Sequence, residues 1–208
     1  MQPYAGGQAM PKTTSAKIDL LLLWIIGLML VYSAIIFTSA YLSGTDMGAW
    51  VWERHQNLFS WYSRPLFIIP AAYYAYRRKI WHVLGFMLLL ATSLFWFAAP
   101  DAADPAIREY LQWEADLFFS NASILPLLAL ITAVLIFLFL LFYAFWQRNP
   151  WFGLLVINVG TVMKIIVSLA LGEGAGAAAV VPSLSSLLVI NLFACFLWRR
   201  LRKSREAD

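Results

Sequence analysis

Arg64 stands directly before Pro65, and thirteen residues further on the chain meets Arg77, followed by Arg78 and Lys79. Lys164 lies thirteen residues after Trp151, and Thr92 thirteen after Lys79. If each stretch is a helix rising from one membrane face, about 1.5 Å per residue lifts all three side chains about 20 Å above it. Two cations and a hydroxyl then share one depth in the outer third of a bilayer. An unpaired cation inside a membrane costs at least about 2.5–3.5 kcal/mol on insertion scales, so something must offset it. The acids Glu53, Asp101 and Glu173 are candidate counter-ions. The other solution is a wet site that receives an anion, helped by the free N–H groups of a half-helix starting at Pro65. The plainer alternative is snorkelling, with Arg64 reaching the headgroups and Lys164 pairing with Glu173.

The run Glu53-Arg54-His55-Gln56-Asn57 is the densest polar stretch. His55 is a candidate proton acceptor or metal ligand, with Glu53 or Asp101 as its orienting partner. Residues two apart do not share a helix face, which weakens the pair Glu53 and His55. The second histidine, His82, falls at the opposite side, so no zinc set forms. Capping and hydrogen bonding explain this run more simply. With Trp61 and Tyr62 it is expected to form the mouth of the site. Asp101 and Asp104 have helix-turn spacing for a divalent cation, but Asp104 before Pro105 already reads as a helix cap. Asn158 and Asn191 fall at similar depth in consecutive apolar runs and predict an interhelical hydrogen bond. Asn121-Ala122-Ser123 matches a glycosylation acceptor by pattern only. HExxH, GxSxG, CxxC and dinucleotide-binding patterns are absent, and no cofactor or metal is expected.

The elements that must position these residues follow from composition. Hydrophobic residues make up 62% and charged residues 12% of 208, and the mean hydropathy is +0.73. A soluble domain carries about 25% charge. The reading is an all-α, polytopic integral membrane bundle of six transmembrane helices, near 18–42, 58–76, 80–99, 123–147, 151–171 and 180–198. Continuous rather than alternating apolar runs exclude a barrel. Residues 65–76 alone cover only about 18 Å, so the second span is either that half-helix or a longer helix from about Leu58, kinked at Pro65. The first span is too long for a secretory signal and reads as an uncleaved anchor. Short extracytoplasmic interfacial helices are expected in 43–57 and 100–122. In the latter, Ile107, Tyr110, Leu111, Leu117 and Phe118 form an apolar stripe. The Gly/Ala-rich stretch 172–179 reads as small and flexible. No internal repeat is apparent.

Eleven of the Lys and Arg residues fall on one side of this topology, while Arg54, Arg64 and Arg108 fall on the other and Lys164 lies within a span. The positive-inside rule then places both termini in the cytoplasm, in agreement with an even number of spans. Most of the ten tryptophans fall at the two interfaces as an aromatic belt. Residues 1–17 read as a disordered tail, 18–198 as one membrane domain and 199–208 as a basic tail. The lone Cys195 excludes an intrachain disulfide. A net charge of +4 spread over one membrane face is no nucleic-acid footprint.

These observations predict a multi-pass protein of the cell (inner) membrane. It would bind or transport a small polar or anionic solute through an outward-facing cavity. The ligand residues would be Arg64, Lys164, Thr92, Glu53, His55, Trp61 and Tyr62. Membrane lipids and that solute are the expected partners, with a homo-oligomer or another membrane protein as further company. One alternative is an assembly subunit of a membrane complex. The other is an enzyme using His55 and Glu53 at the outer surface, a reading that lacks a nucleophile.

Overall fold

A computed structural model describes residues 12–119, 124–172 and 174–207, which are helical throughout apart from short connections. The helices are α1 (Lys12–Leu42), α2 (Met47–His55), α3 (Phe59–Tyr62), α4 (Pro65–Tyr76), α5 (Ile80–Thr92), α6 (Pro105–Phe119), α7 (Leu125–Trp146), α8 (Pro150–Leu171) and α9 (Val180–Ala207). Two 3-10 turns, Ser93–Phe95 and Ala175–Ala179, extend α5 and precede α9. Helix α1 begins at Lys12 and α9 runs to Ala207, so both expected tails are partly helical. Glu173 and Asn121 lie outside the described residues, as does most of the expected N-terminal tail.

Local chemistry explains the helix starts. The Asp46 carboxylate accepts the Ala49 N–H at 3.0 Å, and that of Asp104 accepts the Ala106 N–H at 2.9 Å with Pro105 in the first helical position. The Asn149 side chain does the same for Phe152 at 3.1 Å, ahead of Pro150. The expected cap at Asp104 is therefore in place.

Four helices are long and apolar enough to cross a membrane: residues 16–42, 127–146, 150–171 and 175–200. This is fewer than the six expected, because α4 and α5 hold only 12 and 13 residues. At Pro65 the missing N–H interrupts the helical ladder. Near Thr92 and Ser93 the hydroxyls bond back to Leu88, Leu89 and Leu90 carbonyls as α5 tightens into its 3-10 turn. The backbone from Leu58 through Arg64 nevertheless keeps right-handed helical dihedrals at Leu58, Ser63 and Arg64. The chain thus takes the kinked rather than the half-helix form. The first N–H groups of α4 are taken by the preceding turn: Leu66 to Ser63 at 2.9 Å, and Phe67 and Ile68 to Arg64 at 3.1 and 3.2 Å. No set of free amides is left there to receive an anion.

Helix α1 packs on α5, α5 on α4, α4 on α7, α7 on α8 and α8 on α9. Gly153 and Gly160 sit seven apart on the α8 face that meets α7, where rings of Phe145 and Phe137 occupy the space. A Cβ at either glycine would come within 2.4 or 2.5 Å of them. Small residues at such crossings let helices approach closely without a hydrophobic drive between them. Asn158 and Asn191 exchange amide hydrogen bonds of 3.3 and 3.1 Å between α8 and α9, as their depth predicts, worth about 0.6–2 kcal/mol.

The turns that close the hairpins α4–α5 and α7–α8 share one backbone form at an offset of 70 residues, where Tyr73, Arg78 and Trp81 correspond to Tyr143, Arg148 and Trp151. Both turns close alike. Arg77, Arg78 and Lys79 donate to Tyr73, Ala75 and Tyr74 carbonyls; Gln147, Arg148 and Asn149 donate to Tyr143, Phe145 and Ala144. Arg78 and Arg148 hold φ of 57° and 58°.

Those two turns, the start of α1 and the end of the α9 span gather at one end of the bundle. Asp19 meets Arg77 and Lys79 there, and Trp151 meets Trp198. Helices α2, α3 and α6 and both 3-10 turns form the other end.

Candidate functional site

The site is built where α3 turns into α4, beneath α6 and beside α8. Trp61 is its hub. It is 3% exposed, its indole N–H donates to the His55 carbonyl at 2.8 Å, and its ring stacks on the His55 imidazole at 5.4 Å. Tyr110 of α6 lies 5.7 Å from the same ring, and the Arg64 guanidinium sits over it at 5.8 Å. Trp61 is thus interior packing, not part of a mouth. Tyr62, one residue on, is 42% exposed.

Proton counting fixes the state of His55. Ser60 gives its single hydroxyl proton to the Asn57 carbonyl at 2.8 Å, so it accepts from His55 Nδ1 at 3.0 Å. The bare Nε2 then faces Arg64 Nη2 at 3.3 Å and accepts from it. Burial, and after it the charges of Arg64 and Lys164, lowers the imidazole from 6.5 to about 3. His55 is a neutral acceptor that orients a guanidinium.

Arg64 and Lys164 are both half-buried and close enough for their charges to act on each other and on Glu114. The charge of Arg64 on α4 thus acts on Lys164 on α8. The acid beside them is Glu114, which the sequence reading did not select, rather than Glu53 or Asp101. Tyr110 donates its phenol proton to Glu114 at 2.9 Å, leaving Ser168 to donate to Tyr110 across 3.2 Å. Burial raises the Tyr110 phenol above its usual value, and Glu114 adds to the effect. Two spacing signals pointed here. Glu114 follows Tyr110 by four on α6, and Ser168 follows Lys164 by four on α8, so each pair shares a helix face.

The Gly/Ala stretch read as flexible packs tightly. Ala175 and Ala179 are buried under Ile107, Tyr110 and Leu111. A Cβ at Gly176 would meet the Ser168 carbonyl oxygen at 1.8 Å. Only glycine lets this turn press against α8 and draw α6 down over Ser168.

The remaining expected residues lie apart. Glu53 is exposed, and among the described residues no hydrogen bond joins it to His55. Thr92 spends its hydroxyl on its own helix and sits on α5, which packs on α1 and α4. Arg54 caps the 3-10 end of α5, donating to Phe95 at 2.6 Å and Trp96 at 3.3 Å. Asn57 donates to Ala98 at 3.0 Å and accepts from Phe59. The polar run 53–57 is mostly a clamp holding α2 onto the ends of its neighbours.

No family model, curated protein or solved structure matches the chain. Fold and site together define a class only: an all-helical protein with four membrane-length helices and two half-buried cations, Arg64 and Lys164, toward one end.

Proposed function

We propose that the chain is a multi-pass membrane protein that binds, and in that way serves the movement of, a small anionic solute at Arg64 and Lys164. One observation carries the reading. Among the described residues the ion pairs all belong to Asp19, and two half-buried cations share the neighbourhood of one carboxylate, Glu114, an excess of positive charge counted over those residues. A neutral His55 fixes the Arg64 fork, and the hydroxyl chain Ser168–Tyr110–Glu114 holds the acid to one side.

Six crossings with both termini in the cytoplasm remain the topology of choice. Residues 59–76 reach about 27 Å and residues 80–95 about 24 Å, near the roughly 30 Å of hydrocarbon. The arginine-rich turns at one end and the acidic residues of α2 and α6 at the other follow the positive-inside pattern. The cation cluster then opens toward the extracytoplasmic face. As for the enzymatic alternative, both ring nitrogens of His55 are engaged and Glu53 is not beside it, so an acid–base pair is not assembled.

The test is Arg64→Gln with Lys164→Gln in protein reconstituted in nanodiscs, titrated with chloride, phosphate, acetate and other small anions. The wild type should show saturable binding to one of them, and the double variant none, while still accumulating in the membrane. A variant that fails to accumulate, or binding that survives both substitutions, overturns the proposal.

A further inference from the structure

The two hairpin turns carry a second polar feature, at the opposite end of the bundle from the cation cluster. At the C-terminal turn of a helix, a residue with φ near +60° is usually glycine, since a side chain there costs about 1–2 kcal/mol. Both turns place an arginine instead: Arg78 and Arg148. The backbone gains nothing from that choice, so their side chains are the reason to look further.

Those side chains cross over. Arg78 Nε donates to the Trp146 carbonyl at 3.3 Å, and the Arg148 guanidinium lies 5.8 Å from the centre of the Tyr76 ring. Trp146 and Tyr76 are themselves equivalent at the offset of 70. Each arginine therefore reaches the end of the other hairpin's first helix. Both are exposed, and among the described residues neither has a carboxylate partner. Their basic neighbours Arg77 and Lys79 are committed to Asp19. Three residues beyond each arginine stands a tryptophan, Trp81 at 75% and Trp151 at 62% exposure, a residue type that marks headgroup depth.

We infer that the paired turns form a binding site for the headgroup of an anionic phospholipid, its phosphate shared by Arg78 and Arg148. Guanidinium forks match phosphate oxygens bidentately, and basic sites between helix ends on the cytoplasmic side are where anionic headgroups dock. The two tryptophans place the arginines at the level of a bilayer's phosphates, which makes a leaflet lipid, rather than phosphate in solution, the occupant. The inference rests on the reading of the long helices as membrane spans.

The test uses the full chain purified in mild detergent, with native mass spectrometry after addition of equimolar phosphatidylglycerol and phosphatidylcholine. The variant of choice is Arg78→Gly with Arg148→Gly, since glycine suits φ near +60° and keeps the turns intact. The wild type should retain phosphatidylglycerol selectively, and the double variant should lose about tenfold or more of that retention. Arg199→Gln with Arg200→Gln, equally basic but outside the turns, should leave it unchanged. Equal retention by the glycine variant, equal loss in the Arg199 and Arg200 control, or displacement of the lipid by inorganic phosphate overturns the site. Alkaline carbonate extraction of the wild type separates this from failure of the membrane reading, because a protein stripped from membranes by carbonate was never embedded.

Discussion

Asp19 and Arg64 anchor polar clusters at opposite ends of the bundle, and the two clusters close their charge accounts differently. Asp19 is 6% exposed and surrounded by donors: Tyr74 at 2.9 Å, Arg77 at 3.3 Å and Lys79, with its own carbonyl on His82. Tyr74 in turn stacks on His82 at 4.1 Å. Every charge there has a partner, and the cluster ties α1 to the α4–α5 turn. At the other end Arg64 has, among the described residues, a neutral imidazole as its hydrogen-bond partner, and the carboxylate is turned toward a phenol. Burying charge is costly in both places. A cluster that answers the cost internally is a fastening, whereas one left with excess charge is open to a ligand.

Substitutions can break that contrast. The largest effect is expected at the fastening. Asp19→Ala leaves two cations facing each other and should cost about 3–5 kcal/mol, read as a lower midpoint in thermal or SDS unfolding. A loss below about 1 kcal/mol would mean that the cluster is ornamental. Glu114→Gln removes the described acid from the open cluster, so anion affinity should rise about tenfold with little change in unfolding midpoint. Unchanged or weaker affinity would show that the carboxylate is part of the binding surface.

The last effect comes from pH. His55 holds its proton less tightly in the folded protein, at about 3 instead of 6.5. The unfolded chain therefore binds more protons between those values, and stability rises with pH across that window. The contribution is complete above pH 6.5 and fades on acidification toward pH 3, by at most about 1.4 kcal/mol per pH unit. His55→Gln should flatten that slope in urea or thermal unfolding followed from pH 7 to pH 4.

Much of this was legible in the residues. Apolar run length marked the long helices, and Asp104-Pro105 announced α6. Paired asparagines announced the contact between α8 and α9. What escaped depends on faces rather than depths. Asp19 does not stand out in the sequence, because nothing local says that Tyr74, fifty-five residues away, will reach it. Tyr110 read as an apolar stripe residue, although its hydroxyl joins Glu114 to Ser168. The seat of Gly176 against Ser168 is a close backbone approach, which a run of glycine and alanine suggests as readily as looseness. The likeness of the two turns stayed hidden because it lies in backbone hydrogen bonds and φ, while most side chains around them differ.

The uneven helix lengths bear on the surrounding bilayer. Helices α7 and α8 have 22 residues each, whereas the α5 stretch spans residues 80–95 and shows exposed Leu84 and Leu88. On the six-crossing reading proposed above, at about 1.5 Å per residue, the hydrophobic belt would be about 9 Å shorter on the α5 flank than on the α7–α8 flank. Mismatch of that size thins the hydrocarbon next to the shorter side. Water and headgroups would then be drawn inward on one flank alone. Reconstitution in lipids of increasing acyl-chain length should lower the unfolding midpoint once the chains outgrow that side, and a flat response would show the belt to be even.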